Sequence, residues 1–346
     1  MSAALAVSER PVAGVPASGL EDVISAEADL MGGRVGVYLR LAHPPLDGLD
    51  RPAAEAARRA AAHREAARRE AVRTIRRIGT WADRLTRFTP TSELSRLNTH
   101  PADLVPVGPT LAAVLAHAAQ AARDTGGSGD ATLLDARLAA ERPGPDRSVA
   151  DPLAPADRSW VVDLGARGGH VTRRPGIRFD LGGIAKGWMA DRAAAMLAAH
   201  PCVIVDADGD LAIALAHGEE WQIGVADPRD GGSQLGVLQL AGLDPSRPQR
   251  FGLATSGTSV HRWSRNGRTS HHLIDPRTGR PAVTDVVQAT VLAESASQAE
   301  IAAKSIVILG SEKGTALMER PGILAVIVLT EDDRVLASPS ALRWLA

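Results

Sequence analysis

The residues best suited to chemistry in this chain follow one another between positions 178 and 191, in the order R-F-D-L-G-G-I-A-K-G-W-M-A-D. β-Favouring residues lead to Asp180, Gly182 and Gly183 follow, and Lys186 then falls near the first turn of a predicted helix. A strand, a glycine turn and a helix start present free backbone N–H groups and a cation at one place. This pattern predicts a site for a phosphate or a carboxylate. The alternative is a tight turn in which the glycines supply positive φ and Lys186 is solvated.

The glycine turn lacks the spacing of the two common phosphate-binding motifs. Neither the P-loop pattern G-x-x-x-x-G-K-[ST] nor the dinucleotide pattern G-x-G-x-x-G occurs in this stretch. The motif therefore indicates an anion site without identifying the ligand.

Three later stretches also concentrate polar side chains. The segment D-A-D-G-D at 206–210 is similar to part of a calcium loop, but its residue order differs and no glutamate closes it, which favours a polar turn. The segments L-A-T-S-G-T-S at 253–259 and H-H-L-I-D-P-R-T-G-R-P at 271–281 add hydroxyl groups and imidazoles. A hydrolase triad of Ser256, His272 and Asp275 is conceivable, but the chain has no G-x-S-x-G elbow. By itself, His272 is typical of a structural histidine.

Composition excludes several classes of protein. The 346 residues are 45% hydrophobic and 23% charged with a net charge of −1, so nothing general favours a nucleic acid or an anionic membrane as partner. The arginine-rich stretch between Arg58 and Arg87 is the one nucleic-acid-like feature, and a solvated helix face is its simpler interpretation. Cys202 is the only cysteine, which excludes a disulfide framework and a cysteine-based metal cluster.

The first residues predict no targeting or membrane segment. Residues 1–19 are rich in Ala, Pro, Ser and Gly and are expected to form a disordered tail, without a basic region or a cysteine for lipid attachment. No run of about 18 apolar residues occurs, so no membrane span is expected. These features predict a cytoplasmic location.

Hydrophobic periodicity predicts the elements that must position these stretches. An ordered segment at 23–41, a long helix at 52–88 and a short helix capped by Thr91 or Ser92 come first. A polar surface loop at 125–132 and an exposed proline-rich excursion at 141–158 follow a second amphipathic helix. The remaining predicted elements are strands in 161–179 and at 203–205, 221–227, 235–240, 289–292 and 324–329, and helices at 109–123, 184–200 and 297–309. Hairpin-like strand pairs are common, which favours the α+β class over a doubly wound α/β fold.

The order of the motifs along the chain resembles that of one known family. The pieces are M-G-G at 31–33, S-E-L-S-R-L-N at 92–98, D-L-G-G-I-A-K-G at 180–187, D-G-D at 208–210, T-S-G at 255–257 and H-L-I-D-P-R-T-G at 272–279. Together they resemble the FAD:protein FMN transferase family, also called ApbE, over about residues 20 to 340.

This resemblance implies a fold and a reaction. The fold is a single α+β domain over residues 20–346, two-lobed and tunnelling-fold-like, with mostly antiparallel sheets, flanking helices and FAD in the cleft. The reaction cleaves FAD between its phosphates and transfers FMN to a Thr or Ser hydroxyl of a partner protein, with release of AMP. Phosphoryl transfer needs donors and cations for its spreading negative charge, and a group that accepts the hydroxyl proton.

The resemblance also implies roles for particular residues. His272, which alone titrates near neutrality when unperturbed, and Lys186 take the catalytic roles. The residues implied in flavin-nucleotide binding are Met31, Ser92, Glu93, Asp180, Gly182, Gly183, Lys186, Asp210, Thr255, Ser256, Gly257, His272 and Lys304. Residues 255–257 are expected to form a polar loop near the nucleotide.

The chain departs from the family at the metal-ligand positions. The family binds a divalent cation, usually Mg²⁺, through a backbone carbonyl in the glycine turn and an Asp and a Thr four residues apart on a late helix. These positions correspond to Gly183, Glu300 and Lys304, and an ammonium group cannot ligate a metal. One interpretation is an ordinary i,i+4 pair of Glu300 and Lys304, with the metal supplied otherwise or absent. The other is that Lys304 replaces the cation beside the diphosphate.

Three milder departures concern the surroundings of the flavin. Gly33 stands where the family usually has Thr, Gly129 where an aromatic residue is usual, and Thr258 where an acidic residue is usual.

Two alternatives to transfer remain open at this point. The chain could bind FAD without flavinylating a protein, or act as an FAD pyrophosphatase that releases FMN and AMP. The acceptor motif of the family, Asp-x-x-[Ser/Thr]-Gly-Ala-[Ser/Thr], does not occur in this chain. An acceptor flavoprotein would therefore be a separate molecule.

Overall fold

A computed structural model describes residues 23–41, 53–141, 159–165, 167–230, 232–265, 268–318 and 320–346. The expected tail at 1–19 and nearly all of the expected excursion at 141–158 lie outside the described residues; Glu141 ends a helix. Among the residues described, none of the helices combines the length and the apolar character that crossing a bilayer requires.

An eight-stranded sheet forms the centre of the molecule, and every neighbouring pair of its strands is antiparallel. Its order is β1-β2-β6-β7-β10-β15-β16-β17. These strands are β1 (Val23–Leu30), β2 (Gly33–Arg40), β6 (Cys202–Ala207), β7 (Leu211–Leu215), β10 (Gln249–Gly257), β15 (Val286–Ala293), β16 (Ile323–Thr330) and β17 (Val335–Ala337).

Smaller sheets extend the molecule on either side. A three-stranded sheet has the order β3-β5-β4, and the pairs β8-β9, β11-β12 and β13-β14 are hairpins. These strands are β3 (Leu104–Val107), β4 (Trp160–Gly165), β5 (Gly168–Arg173), β8 (Glu220–Ala226), β9 (Gln234–Ala241), β11 (Arg262–Arg265), β12 (Arg268–His271), β13 (Ile274–Asp275) and β14 (Arg280–Pro281).

The described residues form the helices α1 (Ala53–Leu85), α2 (Glu93–Thr99), α3 (Pro109–Asp124), α4 (Leu134–Glu141), α5 (Ala185–Met196) and α6 (Ala296–Met318). Of these, α1, α5 and α6 cover one face of the central sheet, while α4 packs on the β13-β14 hairpin. Alternate residues such as Val35 and Val37 bury this face under α1 and α5, while α6 packs on β10 and β15. The other face is covered by the β8-β9 hairpin and a C-terminal 3-10 helix, Pro339–Arg343. The predicted α+β class with mostly antiparallel sheets is confirmed.

The long helix shows why its sequence folds as it does. Ala71, Ile75, Ile78 and Leu85 are buried at three- and four-residue steps, so one face of α1 packs on the sheet. The arginines of the opposite face are exposed, as the solvated-face interpretation predicts.

Two local predictions are wrong. The segment 125–132 is not a polar surface loop: Ser128 and Thr132 are buried, because Thr125 and Asp130 supply the hydrogen bonds that its backbone needs. Residues 255–257 do not form a loop either, since they continue β10 and pair with β15.

Candidate functional site

Three of the predicted site segments meet at one end of the central sheet. The β1-β2 turn (31–33), the β6-β7 turn (208–210) and the end of β10 (255–257) are neighbours there. The register establishes this, because β2 pairs with β6 up to Ala207 and β10 pairs with β7 up to Leu211. This end of the sheet is the candidate functional site.

The two turns are in direct contact. A Cβ atom on Gly33 would lie 1.8 Å from Asp208 Oδ1, so any side chain at position 33 would displace the aspartate. Met31 has a left-handed φ of 59° and is 36% exposed, which places it at the open tip of the hairpin. The absence of the usual Thr at position 33 therefore follows from the packing of Asp208.

Lys186 connects the start of α5 to the second turn. Its Nζ lies 2.9 Å from Asp210 Oδ2 and donates a hydrogen bond of 3.0 Å to the carbonyl of Asp208. Burial alone would lower the pKa of Lys186, but the carboxylates of Asp210 and Glu300 outweigh it and raise the pKa. Burial raises the pKa of Asp210, against the opposing charge of Lys186. Lys186 is an ion-paired side chain and not a solvated one.

The side chain of Arg137 packs against the glycine turn. Gly182 N donates to Asp180 Oδ1 at 3.0 Å, and Gly183 has a φ of 107° that favours glycine. Arg137 Nη1 lies 3.1 Å from Asp180 Oδ2 and 3.2 Å from the position of a Cβ on Gly182. The turn therefore has a guanidinium against it, while the backbone N–H groups of Ile184, Ala185 and Gly187 at the start of α5 already donate to Leu181 and Glu300.

Lys304 lies against the other glycine. A Cβ on Gly183 would be 2.9 Å from Lys304 Cδ and 3.2 Å from its Nζ. The residue is only 9% exposed, and the carboxylates of Asp180, Glu300 and Asp130, which act on its ammonium group, form no direct ion pair with it among the described residues. Burial lowers the pKa of Lys304, Asp180 opposes this effect and Arg137 adds to it.

Glu300 does not form the expected i,i+4 ion pair with Lys304. Its Oε2 accepts a hydrogen bond from Gly187 N at 2.8 Å, and its Oε1 is buried without a hydrogen-bond partner among the described residues. Burial and the neighbouring Asp210 raise the pKa of Glu300.

His272 belongs to the same cationic region. Burial lowers its pKa to about 3, and the charges of Arg137, His261 and Lys304 add to this effect. Its ring meets the ring of His261 edge to face at 5.2 Å, and its Nδ1 is buried without a partner among the described residues. The imidazole is therefore neutral at neutral pH and has an unengaged nitrogen.

The hydrolase triad is not assembled. Both oxygens of Asp275 accept hydrogen bonds from Arg277, and its carbonyl accepts from Gly279 N at 2.8 Å, so this aspartate orders its own turn. No hydrogen bond joins Ser256, His272 and Asp275 in the described part of the chain.

The remaining predicted residues have local partners. Ser92 caps α2 by accepting from Ser95 N at 3.0 Å, and the carboxylate of Glu93 accepts from Gly108 N. Thr255 Oγ1 lies 2.9 Å from the hydroxyl oxygen of Thr290 on the adjacent strand. The structure does not bring Ser92 or Glu93 into contact with the glycine turn.

The side chains at the implied metal position do not fit Mg²⁺. Gly183 faces an ammonium group where the family has a hydroxyl, and one carboxylate oxygen of Glu300 is engaged by Gly187. The described residues contain no group of three His, Cys, Asp or Glu side chains that could hold a metal ion. In the segment 206–210, Asp206 Oδ1 accepts a hydrogen bond from Gly209 N at 2.7 Å and Asp210 is paired with Lys186.

Sequence reasoning missed three residues that shape the site. Arg137 was missed because α4 was not predicted. The sequence L-L-D-A-R-L-A-A-E at 133–141 nevertheless favours a helix with an i,i+4 pair of Arg137 and Glu141. Asn98 donates to and accepts from the backbone of Phe179, just before the glycine turn. Asp191 accepts from the backbone N–H groups of Ala296 and Ser297 and so caps α6. No local sequence pattern predicts these two long-range contacts.

An antiparallel sheet flanked by helices, with a glycine turn and buried cations at one end, defines an α+β class of protein whose site is suited to an anionic ligand. Within that class the chain belongs to the ApbE family, whose model matches residues 54–328.

Two named relatives support this assignment. The FAD:protein FMN transferase of Treponema pallidum is 35% identical over 190 residues, which cover 51% of this chain and 50% of that protein. That of Rhodobacter capsulatus is 31% identical over 198 residues, which cover 56% of this chain and 36% of the relative. The matches thus span half or less of the length of these two relatives.

Solved structures match the fold over nearly the whole chain. The apo form of the Pseudomonas stutzeri flavinyl transferase ApbE has a TM-score of 0.70 at 22% identity, covering 92% of this chain and 95% of that one. The ApbE protein of Thermotoga maritima has a TM-score of 0.72 at 20% identity, covering 94% and 99%. These likenesses confirm the ApbE-type fold.

Proposed function

We propose that this chain cleaves FAD and transfers FMN to a Thr or Ser hydroxyl of a separate acceptor protein, with release of AMP. Membership of the ApbE family supports the proposal, as do relatives that carry the name FAD:protein FMN transferase. The observation that carries it is the position of Arg137 and Lys304 against the two glycines of the turn.

These two cations suit the diphosphate bridge of FAD. A unit charge about 4 Å from a phosphate at an effective dielectric near 20 contributes about 4 kcal/mol before desolvation. Lys186 remains a donor to the nucleotide in this proposal, although its ammonium group also contacts Asp208 and Asp210.

The transfer step exchanges one P–O bond for another. The acceptor hydroxyl oxygen attacks the phosphorus of the FMN half, and the bond from that phosphorus to the bridging oxygen breaks, so AMP leaves with the electron pair. The hydroxyl proton passes to the neutral imidazole of His272, whose Nδ1 has no competing partner among the described residues. The negative charge of bound FAD offsets Arg137 and Lys304, which raises the pKa of His272 and makes it a better base in the complex.

Two incubations test the proposed function. The first contains the protein and FAD, and chromatography follows AMP; the second adds a peptide with the family acceptor motif, and mass spectrometry detects covalent FMN. Covalent FMN on the peptide with stoichiometric AMP supports transfer. AMP with free FMN in both incubations would identify a pyrophosphatase, and FAD binding without AMP would identify a binding protein.

The acceptor and the location are also part of the proposal. The absence of the acceptor motif from this chain supports an acceptor in trans. The single cysteine supports the predicted cytoplasmic location, which fractionation of cells that express the protein tests.

A further inference from the structure

We propose that the ammonium group of Lys304 is the built-in cation of the diphosphate site, so that this chain binds FAD without a divalent metal ion. The inference rests on the proposed function, because it concerns how the same site holds the same ligand.

The position of Lys304 is the first argument. Its Cδ and Nζ lie 2.9 and 3.2 Å from the place of a Cβ on Gly183, so glycine is required there for the lysine to reach the turn. The turn leads directly into α5, which begins at Ala185. A phosphate bound against this turn would meet the ammonium group of Lys304.

The lack of a partner is the second argument. A buried charge is costly unless it is paired, yet Lys304 forms no direct ion pair with the described residues, and the carboxylates of Asp180, Glu300 and Asp130 act on it only from farther away. The other cations of the region differ, since Lys186 is paired with Asp210 and Arg137 with Asp180. An anionic ligand at the turn supplies the partner that Lys304 lacks.

The use of lysine is the third argument. Among the 39 basic residues, only Lys186, Lys304 and Lys313 are lysines, and the first two are at this site. Arginine thus supplies almost all of the positive charge of this chain. Two of its three lysines nevertheless lie at the site, where a compact ammonium group can take the place of a small cation.

The carboxylates near the glycine turn have few oxygen atoms free to ligate a metal ion. Asp210 is paired with Lys186, Asp180 is held by Arg137 and Gly182, and Glu300 accepts from Gly187. A dication at the turn would also meet the positive charge of Lys304 at close range, which is unfavourable at low dielectric.

Calorimetric titration with FAD, in EDTA and in excess Mg²⁺, tests the inference. We expect dissociation constants that agree within a factor of two in the two buffers. Binding that requires Mg²⁺ would overturn the inference and leave the proposed function intact. Absence of binding in both buffers would overturn the proposed function and the inference with it.

Substitutions at position 304 add a readout that does not depend on turnover. Lys304→Met keeps the length of the side chain and removes the charge, so we expect FAD binding to weaken by about 10- to 100-fold, as for a lost charge-assisted hydrogen bond. Binding of riboflavin, which has no phosphate, should not change. The same substitution should raise the melting temperature without ligand, because it removes an unpaired buried charge.

Lys304→Thr provides the complementary test, since it introduces a hydroxyl ligand beside Glu300 and the Gly183 carbonyl. We expect this variant to bind FAD weakly in EDTA and to regain affinity in Mg²⁺. The matched control is Lys313→Thr, an exposed lysine beyond the kink that Gly310 makes in α6, which should behave as the wild type. Wild-type affinity of Lys304→Met for FAD would overturn the inference.

Discussion

At the scale of single residues, the three cationic side chains near the glycine turn differ in the carboxylates with which each is already paired. Lys186 is paired with Asp210, and Arg137 with Asp180 and Glu141. Lys304 forms no direct ion pair with the described residues, and the carboxylates of Asp180, Glu300 and Asp130 act on it only from farther away. A ligand gains most from a cation that has no partner to give up. The three side chains should therefore contribute unequally to nucleotide binding, with Lys304 first.

His272 should affect transfer more than binding. The substitution His272→Asn removes the proton-accepting imidazole and keeps a polar side chain of similar length. We expect transfer to slow by about 10²- to 10⁴-fold, the usual effect of losing a general base, with a much smaller change in the dissociation constant of FAD. The measurement is single-turnover transfer to the acceptor peptide together with calorimetry.

The matched control for this variant is His63→Asn, which alters an exposed histidine on α1. Equal loss of FAD affinity and transfer rate in His272→Asn would contradict the assignment, because it would indicate a binding contact alone.

The protonation of His272 gives a second prediction. Its folded-state pKa of about 3 lies below the unfolded value of 6.5, so the ring stays neutral as the pH falls to 5. The unfolded state binds the proton first, so this group favours folding above pH 6.5 and loses that contribution as the pH falls toward 3.

Nitrogen NMR of the histidine rings from pH 8 to 5 measures this directly. We expect the His272 resonances to remain those of neutral imidazole in the free protein and to show a higher pKa with FAD bound. A free-protein pKa near 6.5 would contradict the charge environment described for the site.

At the scale of elements, the site depends on the mutual position of α5 and α6. The two helices approach closely at Gly187, where a Cβ would lie 2.6 Å from the carbonyl oxygen of Ala296. Asp191 of α5 caps α6 through the backbone N–H groups of Ala296 and Ser297. These contacts fix the helix start that carries the turn against the helix that carries Lys304.

Loss of the Asp191 cap should lower the stability of the fold and weaken FAD binding at the site. For Asp191→Ala we expect the free energy of unfolding to fall by about 1–2 kcal/mol, the usual cost of losing an N-cap. FAD affinity should fall as well, because α6 is no longer fixed relative to the glycine turn. Urea denaturation and FAD titration measure the two effects.

Asp124→Ala is the control for this element, because Asp124 is an exposed aspartate at the end of α3. Unchanged FAD affinity in a destabilised Asp191→Ala would show that the cap does not set the position of Lys304.

Asn98 should have a comparable role in front of the turn. Its side chain bonds both the N–H and the carbonyl of the buried Phe179, at 2.7 and 2.8 Å. Asn98→Ala leaves these backbone groups unpaired, and we expect a loss of about 2–3 kcal/mol in the free energy of unfolding. Thr99→Ala, whose exposed hydroxyl bonds only carbonyls of its own helix, should change stability by less than about 0.5 kcal/mol. A similar loss in both variants would contradict this role.

The elements also show what the sequence can and cannot predict. The bounds of α1 and the capping of α2 by Ser92 follow from local patterns, because apolar spacing and cap chemistry act within a few residues. The contact of Lys304 with Gly183 joins positions far apart in the chain, and no local pattern specifies it. The burial of Ser128 was missed for a different reason, since the polar composition of 125–132 favours exposure although Thr125 and Asp130 supply local hydrogen bonds.

At the scale of the whole molecule, the site lies at an open end of the central sheet and not inside it. Met31 is 36% exposed at this end, and Thr255 on the neighbouring part of the sheet is also exposed. Both faces of the sheet are occupied, one by helices and one by the β8-β9 hairpin. A partner protein therefore reaches the site from the end of the sheet.

This geometry, together with the missing acceptor motif, predicts that transfer occurs only between molecules. With FAD alone, we expect the mass of the protein to remain that of the unmodified chain. With acceptor peptide, the initial rate of FMN attachment should rise in proportion to peptide concentration before it saturates. The same peptide with alanine at both hydroxyl positions should receive no flavin, because it lacks the attacking oxygen. Covalent FMN on this chain itself, at a rate independent of its concentration, would contradict transfer in trans and would place an acceptor hydroxyl within its own sequence.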